Sequence, residues 1–530
     1  MKAHLQPSEQ SRVATVVTAD RAASRVAEER SEHTTLSLDM SYLFVGRTTA
    51  MVFTVLIPLV LVRLLTQHEF GLYKQLFLLQ ATVVAFLSFG IPSSLFYFLP
   101  TNPARRATYV SQTFLLLGGV GLVAYIALLF GAPGLAIALN NPQLGAYVAD
   151  VGLLIAVTLV GLVLETAMIA GKQNRLAAVV IVFFEILKSV AMIGAIVSTG
   201  QLISLIRAVT IVGFLRILIA GIYLRKQGLL AFRELRWSEL VGQLSYAIPF
   251  GLAFCLETFA VAAPQFLVSA HYDPASFAIY SVGCFTLPIV PLLFDSVSEV
   301  TLVRITEAQS QGVFAHVADT IRESLRKLCL VCFPLVAFLF AEADAIIVSL
   351  FTSQFEGSVP IFRVYMFSIP FMALSLDYVP RAFAEPRFLF RFYGLRALLG
   401  VTLFFPLMGT FGLVGGALAT VLALGVSRVY SLYRARELAR TTLRRIVPSW
   451  DLARILLCSI FSALVVAGFK QLAADASFMR LVSSFLLYCT IFFLLAWKAK
   501  LFRDGDRDLL RSWLGRAKVV PVEHLTDEGA

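Results

Sequence analysis

The sequence predicts an all-α, polytopic integral membrane protein of about fourteen transmembrane helices, built as two six-helix lobes followed by an extra helix pair. Three observations predict it. Of 530 residues, 58% are hydrophobic and only 15% are charged, with a mean hydropathy of +0.81, whereas soluble domains are about 45–50% apolar and about 25% charged. The apolar residues gather into runs of the roughly 20 residues that a bilayer-crossing helix requires. The loops between the runs alternate between ones rich in Lys and Arg and ones with almost none. A string of soluble domains is excluded because this composition could not give them polar surfaces, and disorder is excluded by 44 Phe and long Leu/Val/Ile runs.

Residues 1–40 carry Arg12, Arg21, Arg25 and Arg30 among Glu, Ser and Thr, with no apolar core of a signal peptide. They read as a disordered cytoplasmic tail. The spans follow near 41–65, 72–99, 107–131, 145–170, 175–199, 202–224, 240–268, 275–302, 328–351, 359–382, 388–408, 411–434, 452–469 and 477–498. After the even-numbered spans come Arg105–Arg106, Lys172/Arg175, the group from Arg225 to Arg236, Arg322/Arg326/Lys327, Arg381/Arg387 and the group from Arg436 to Arg445. Lys498, Lys500, Arg503, Arg507 and Arg511 open the C-terminal tail, 499–530. The intervening loops hold almost no Lys or Arg, Lys470 being the main exception. This positive-inside alternation predicts a cell (inner) membrane protein with both termini in the cytoplasm. It also accounts for the net charge of +11 without nucleic acid. No outer loop exceeds about a dozen residues, so the work of the molecule is expected between its helices, and an extracytoplasmic catalytic domain is not.

Three collinear matches suggest an internal duplication. Ser41–Tyr42 recurs as Ser245–Tyr246. Glu69-Phe70-Gly71-Leu72-Tyr73 is matched by Ser276-Phe277-Ala278-Ile279-Tyr280. Gly213-x-x-Arg216 is matched by Gly425-x-x-Arg428. The offsets lie between about 204 and 212 residues. They define an N-lobe at 41–235, a C-lobe at 236–437 and an extra pair at 438–498. Parallel repeats with a site at their interface are a recurring transporter design.

Leu61-Val-Arg-Leu-Leu-Thr-Gln-His-Glu-Phe-Gly-Leu-Tyr-Lys74 is similar to the R-x-L-G-x-x-x-[YF]-G-x-[YF] stretch that ends the first helix in polysaccharide transporters of the multidrug/oligosaccharidyl-lipid/polysaccharide exporter superfamily. Tyr280-Ser-Val-Gly-Cys-Phe-Thr-Leu-Pro-Ile through Val303–Arg304 resembles their eighth helix, and the charged stretch 305–327 stands where they carry a cytoplasmic connector. The resemblance covers roughly 41–498. Leu65–Thr66 departs from the family's Leu-Gly. The resemblance implies a flippase of the O-antigen or exopolysaccharide type. Its partners would be undecaprenyl-diphosphate-linked oligosaccharide, membrane lipid and the polysaccharide polymerase machinery.

Ionisable residues inside the spans are the candidate site, since each costs about 2.5–3.5 kcal/mol at a helix centre if it faces lipid. They are Arg47, Glu165, Glu185, Lys188, Arg207, Arg216, Glu257, Asp295, Glu299, Asp377, Arg396 and Arg428. Glu185 and Lys188, three residues apart, suit a structural pair. Guanidinium groups stay charged and present planar, bidentate donors to phosphate. A lipid diphosphate must cross the hydrocarbon, so Arg47, Arg207, Arg216, Arg396 and Arg428 are the candidates to receive it in a hydrated cavity. Arg216 and Arg428 lie close enough to the cytoplasmic helix ends that snorkelling to the interface is equally open. Asp295 and Glu299, one turn apart, disfavour joint ionisation. They are either a proton-coupled site or part of a salt-bridge cluster with Arg304.

Tyr42, Tyr73, Tyr246 and Tyr280 stand at repeat-related positions, open to interfacial belting or to sugar contact. Pro249, Pro264, Pro288, Pro291, Pro370 and Pro380 fall inside second-lobe spans and bend them. Cys329-x-x-Cys332 has no second pair and no neighbouring His, so it reads as packing rather than a metal or redox site. No phosphate-cradling Gly-rich motif is present. The stretch 508–516 is amphipathic and suits the inner leaflet or a place against the bundle. The expectation is therefore a non-enzymatic flippase without cofactor or metal, coupled to a proton or sodium gradient and working by alternating access. The alternatives are a multidrug or lipid II exporter of the same fold and an integral-membrane glycosyltransferase or polymerase.

Overall fold

The computed structural model describes residues 42–287, 289–383, 385–472 and 478–503. The N-terminal tail and the amphipathic stretch 508–516 lie outside them. Every regular element among the described residues is a helix, and they fall into two compact units.

The first unit runs to Ala262 and includes Ser269–Ala278. Its helices are α1 (Tyr42–Leu64), α2 (Gln67–Ser88), α3 (Ile91–Thr101), α4 (Arg106–Ala138), α5 (Leu144–Ala170), α6 (Asn174–Thr199), α7 (Leu202–Lys226) and most of α8 (Trp237–His271). The departure from the family motif has a local reason. Thr66 caps α2 by accepting from the Glu69 amide, while the Glu69 carboxylate accepts from the Thr66 amide at 2.9 Å, a reciprocal capping box. Gly71 of the same motif lies against Pro274, where a Cβ would stand 1.7 Å from the carbonyl oxygen. Only glycine permits that approach. A polar relay fixes the packing nearby. Buried Gln75 donates to Ser269 Oγ at 3.0 Å and accepts from Asn141 at 2.7 Å. The second span is broken at Phe89 and Gly90, both left-handed, with φ of 45° and 68°. Gln243 of α8 joins α3 and α4 by donating to Ser94 and Thr113, each at 2.8 Å.

The second unit comprises Ala263–Val268 and everything from Ile279. It contains the end of α9 (Pro274–Gly283), then α10 (Ile289–Ser310), α11 (Phe314–Ala341), α12 (Ala343–Phe351), α13 (Val359–Met366), α14 (Ser368–Ala373), α15 (Tyr378–Ala382), α16 (Pro386–Phe411), α17 (Leu413–Leu438), α18 (Leu443–Ile446), α19 (Ser449–Leu472) and α20 (Phe478–Lys498). The sequence puts the lobe boundary at 235/236; in the structure most of the following helix packs with the first unit.

Among the described residues, 13 helical stretches are long and apolar enough to cross a membrane. Twelve of the fourteen expected spans coincide with them to within a few residues, and the ninth, expected at 328–351, is met by the stretch Phe314–Ala341. The exception is the span expected at 275–302. It is broken into α9 and α10 by the non-helical residues 284–287, and α10 carries Asp295, Glu299, Arg304 and Glu307. The charged stretch 305–327 does not form a separate connector. It completes α10, turns at Gly312 (φ 72°) and continues as the start of α11.

The extra pair packs on α11. Ile455, Ala496 and Leu501 form a buried cluster with Leu330 and Phe333. Arg326 is only 2% exposed and is held by Glu323 and the Leu501 carbonyl, at 2.7 and 3.0 Å. Arg503 bridges Glu323 and Asp451 at 3.0 and 3.1 Å. Lys470, the exception in the charge alternation, is neutralised by Asp344 at 2.6 Å.

Candidate functional site

Close helix packing in the first unit is set by Gly213 on α7, where a Cβ would meet Val157 of α5 at 2.4 Å. Small residues at such crossings let backbones approach without a hydrophobic driving force. One turn on, Arg216 reaches across α5 and donates to Glu165, its guanidinium 5.7 Å from the Phe184 ring. The Nε of Arg216 is buried and has no acceptor among the described residues. The group borders a cavity of about 190 Å³ whose polar lining includes Gln80, Thr158, Glu185 and Lys188. Glu185 and Lys188 pair at 2.5 Å, as their spacing predicts, and Thr54 donates to the same carboxylate at 2.7 Å.

The second unit repeats this construction. Arg428 of α17 is 3.5 Å from Asp377 and 5.1 Å from the Phe392 ring. Each arginine stands 51 residues after its carboxylate, and the two pairs are offset by 212 residues, as are Gly213 and Gly425. Asp377 also accepts from Arg381 and Ser375, both at 2.9 Å. Glu165 and Asp377 are intramembrane carboxylates in the sequence, but their pairing is visible only once the offset linking the arginines is applied to them as well.

The other candidates are placed differently. Arg207 pairs with Asp150 at 2.8 Å, with 61% of its side chain exposed. Arg47 is exposed on α1, and Arg396 is half-buried near the middle of α16. Arg47 and Arg207 are not part of the Arg216 cavity lining. Asp295 and Glu299 are both exposed on α10, and neither makes an ion pair among the described residues. Cys329 and Cys332 are buried free thiols in α11. No group of three His, Cys, Asp or Glu able to hold a metal occurs among the described residues.

A groove of about 630 Å³ lies between α11, α13–α14 and α19. Its walls are apolar, from Phe333, Val336 and Phe340 to Leu456, Ile460 and Leu464, with Arg363 among them. Arg363 stacks 5.7 Å from the Phe340 ring and lies 3.8 Å from Asp344. Arg363 is the one charged side chain in an otherwise hydrocarbon lining. The sequence did not signal the groove, because the α19 residues of its wall lie more than 80 residues beyond the rest of its lining.

Residues 60–360 match the sequence model of a family described as "Polysaccharide biosynthesis protein". No curated protein sequence matches the chain. Among solved structures it is similar to the lipid II flippase MurJ in an inward closed conformation, with a TM-score of 0.65 and 15% identity over 89% of this chain and 100% of that one. It is similar to an outward-facing multidrug resistance MATE family transporter of the MOP superfamily, with a TM-score of 0.56 and 14% identity over 76% and 97% of the two chains. It is also similar to a MOP superfamily transporter from Pyrococcus furiosus, with a TM-score of 0.54 and 13% identity over 75% and 94%. These likenesses establish the fold.

Proposed function

The chain belongs to the polysaccharide biosynthesis protein family, and on that premise we propose that it flips undecaprenyl-diphosphate-linked oligosaccharide from the inner to the outer leaflet by alternating access. It acts as a carrier rather than an enzyme, in the cell inner membrane, with both termini cytoplasmic. The observation that carries this reading is the duplicated arginine–carboxylate pair, with the Arg216 Nε buried and lacking an acceptor beside a polar cavity. A diphosphate oxygen supplies that acceptor. The guanidinium exchanges its carboxylate for phosphate, and charge-assisted bonds of similar strength replace one another. Arg216 leads this exchange, with Arg428 as its repeat-related counterpart and Arg47, Arg207 and Arg396 as further stations for the diphosphate.

The apolar groove beside α19 suits the polyprenyl tail, and Arg363 in its lining supplies a cation for the head group. Asp295 and Glu299, unpaired and one turn apart, are the proposed ion-coupling site, drawing on a proton or sodium gradient without a cofactor. Two exposed carboxylates in α10 without a direct ion pair among the described residues support this reading over a salt-bridge cluster with Arg304. Handover to the polysaccharide polymerase machinery follows on the outer face. Export of lipid II is the competing reading, favoured by the fold shared with MurJ.

Deleting the gene tests the proposal in cells. Lipid-linked oligosaccharide should then stay hidden from a membrane-impermeant sugar probe, and the wild-type gene, but not Arg216→Gln, should restore its exposure. Undiminished exposure in the deletion strain would refute the reading. Hidden lipid II with exposed oligosaccharide would transfer the function to the competing one.

A further inference from the structure

A second polar cavity, of about 520 Å³, lies in the second unit where α16 begins and α17 ends, and the transport reading makes no use of it. Three guanidiniums and two carboxylates line it. Both carboxylates are consumed by one arginine. Arg434 Nε donates to Glu385 at 2.8 Å, its Nη2 donates to the other oxygen of Glu385, and its Nη1 donates to Glu437 at 2.7 Å. Arg387 and Arg391 are left exposed, one turn apart on α16, and neither makes an ion pair among the described residues. Like charges at that spacing repel.

Their position compounds the repulsion. A helix N-terminus carries partial positive charge and favours anions, yet α16 has Arg387 in its first turn, Arg391 in the next and no side-chain cap. Three aromatic side chains join the lining, the Tyr430 ring 4.9 Å from Phe388 and Tyr433 exposed. In the charge alternation this end of α16 and α17 faces the cytoplasm, at the depth of lipid head groups, where tyrosines concentrate and basic pockets between helices take up anionic lipid.

We propose that this pocket binds a phosphate-bearing anion at the inner membrane surface, with Arg387 and Arg391 as its ligands and Arg434 holding the two carboxylates out of the way. The phosphate comes from the head group of an anionic phospholipid or from a soluble phosphate. Two adjacent guanidiniums match the oxygens of one phosphate group in either case.

The full-length protein, purified in detergent, is titrated with phosphatidylglycerol, phosphatidylcholine and inorganic phosphate in separate arms, with native mass spectrometry and thermal unfolding as readouts. Phosphatidylglycerol should bind and raise the unfolding temperature, phosphatidylcholine should not, and Arg387→Gln/Arg391→Gln should weaken the anionic lipid about tenfold, in line with the loss of charge-assisted bonds. The same change at Arg225 and Lys226, an exposed basic pair in the first unit, should leave binding unaltered. Protection by inorganic phosphate alone, lost in the Arg387/Arg391 variant, supports the site and assigns it to a soluble ligand. Wild-type binding by that variant, or equal binding of phosphatidylcholine, would overturn the proposal. Should the double variant not fold, Arg391→Gln is read in the same way.

Discussion

Arg216 and Glu165 are each costly alone and cheap together. Removing one partner strands the other charge in a low-dielectric setting, which commonly costs about 3–5 kcal/mol, whereas removing both often costs little. Arg216→Gln should therefore lower both stability and transport. Arg216→Gln combined with Glu165→Gln should regain most of the stability and still fail to transport, as read by thermal unfolding and vesicle flipping on the same preparations. Recovery of transport in the double variant would reduce the pair to a structural clamp. Gly71 sits at the opposite extreme, because its role is geometric. Gly71→Ala forces the α2 backbone away from Pro274, and overpacking of this kind costs about 1–3 kcal/mol or more. A lowered unfolding temperature checks it. The arginines were legible in the sequence because charge inside an apolar run is conspicuous. Their partners were not, because helix–helix pairing depends on rotations that periodicity does not record.

Among the elements, the eighth span departs furthest from expectation. Hydropathy sees 275–302 as one run, but the helix is broken after Gly283, just ahead of Pro288 and Pro291 in the sequence. The signals were in the sequence; an averaging window hides them. Asp295→Asn with Glu299→Gln should abolish the dependence of flipping on an imposed proton or sodium gradient while the protein remains inserted. Unchanged gradient dependence would assign these carboxylates another role. The groove offers an independent test of the tail path. Ala463→Trp and Ala467→Trp fill its α19 wall and should slow flipping of a long polyprenyl substrate more than that of a short-chain analogue. Equal slowing would place the tail elsewhere.

In the whole molecule, composition and charge alternation carried the fold class, and the whole pattern of spans and motifs over 41–498 carried the family resemblance. The duplication first appeared as three weak matches. The paired arginine–carboxylate–aromatic arrangement, the same 51-residue span in both units, gives it chemical content. Each of the two units thus holds an arginine–carboxylate pair of the same spacing. Vesicles reconstituted with the purified protein and a fluorescent undecaprenyl-diphosphate oligosaccharide measure its task most directly. Quenching by an impermeant reductant should run past the outer-leaflet fraction towards completion with the wild type. Quenching that stops at the outer-leaflet fraction, as in protein-free vesicles, would contradict the account.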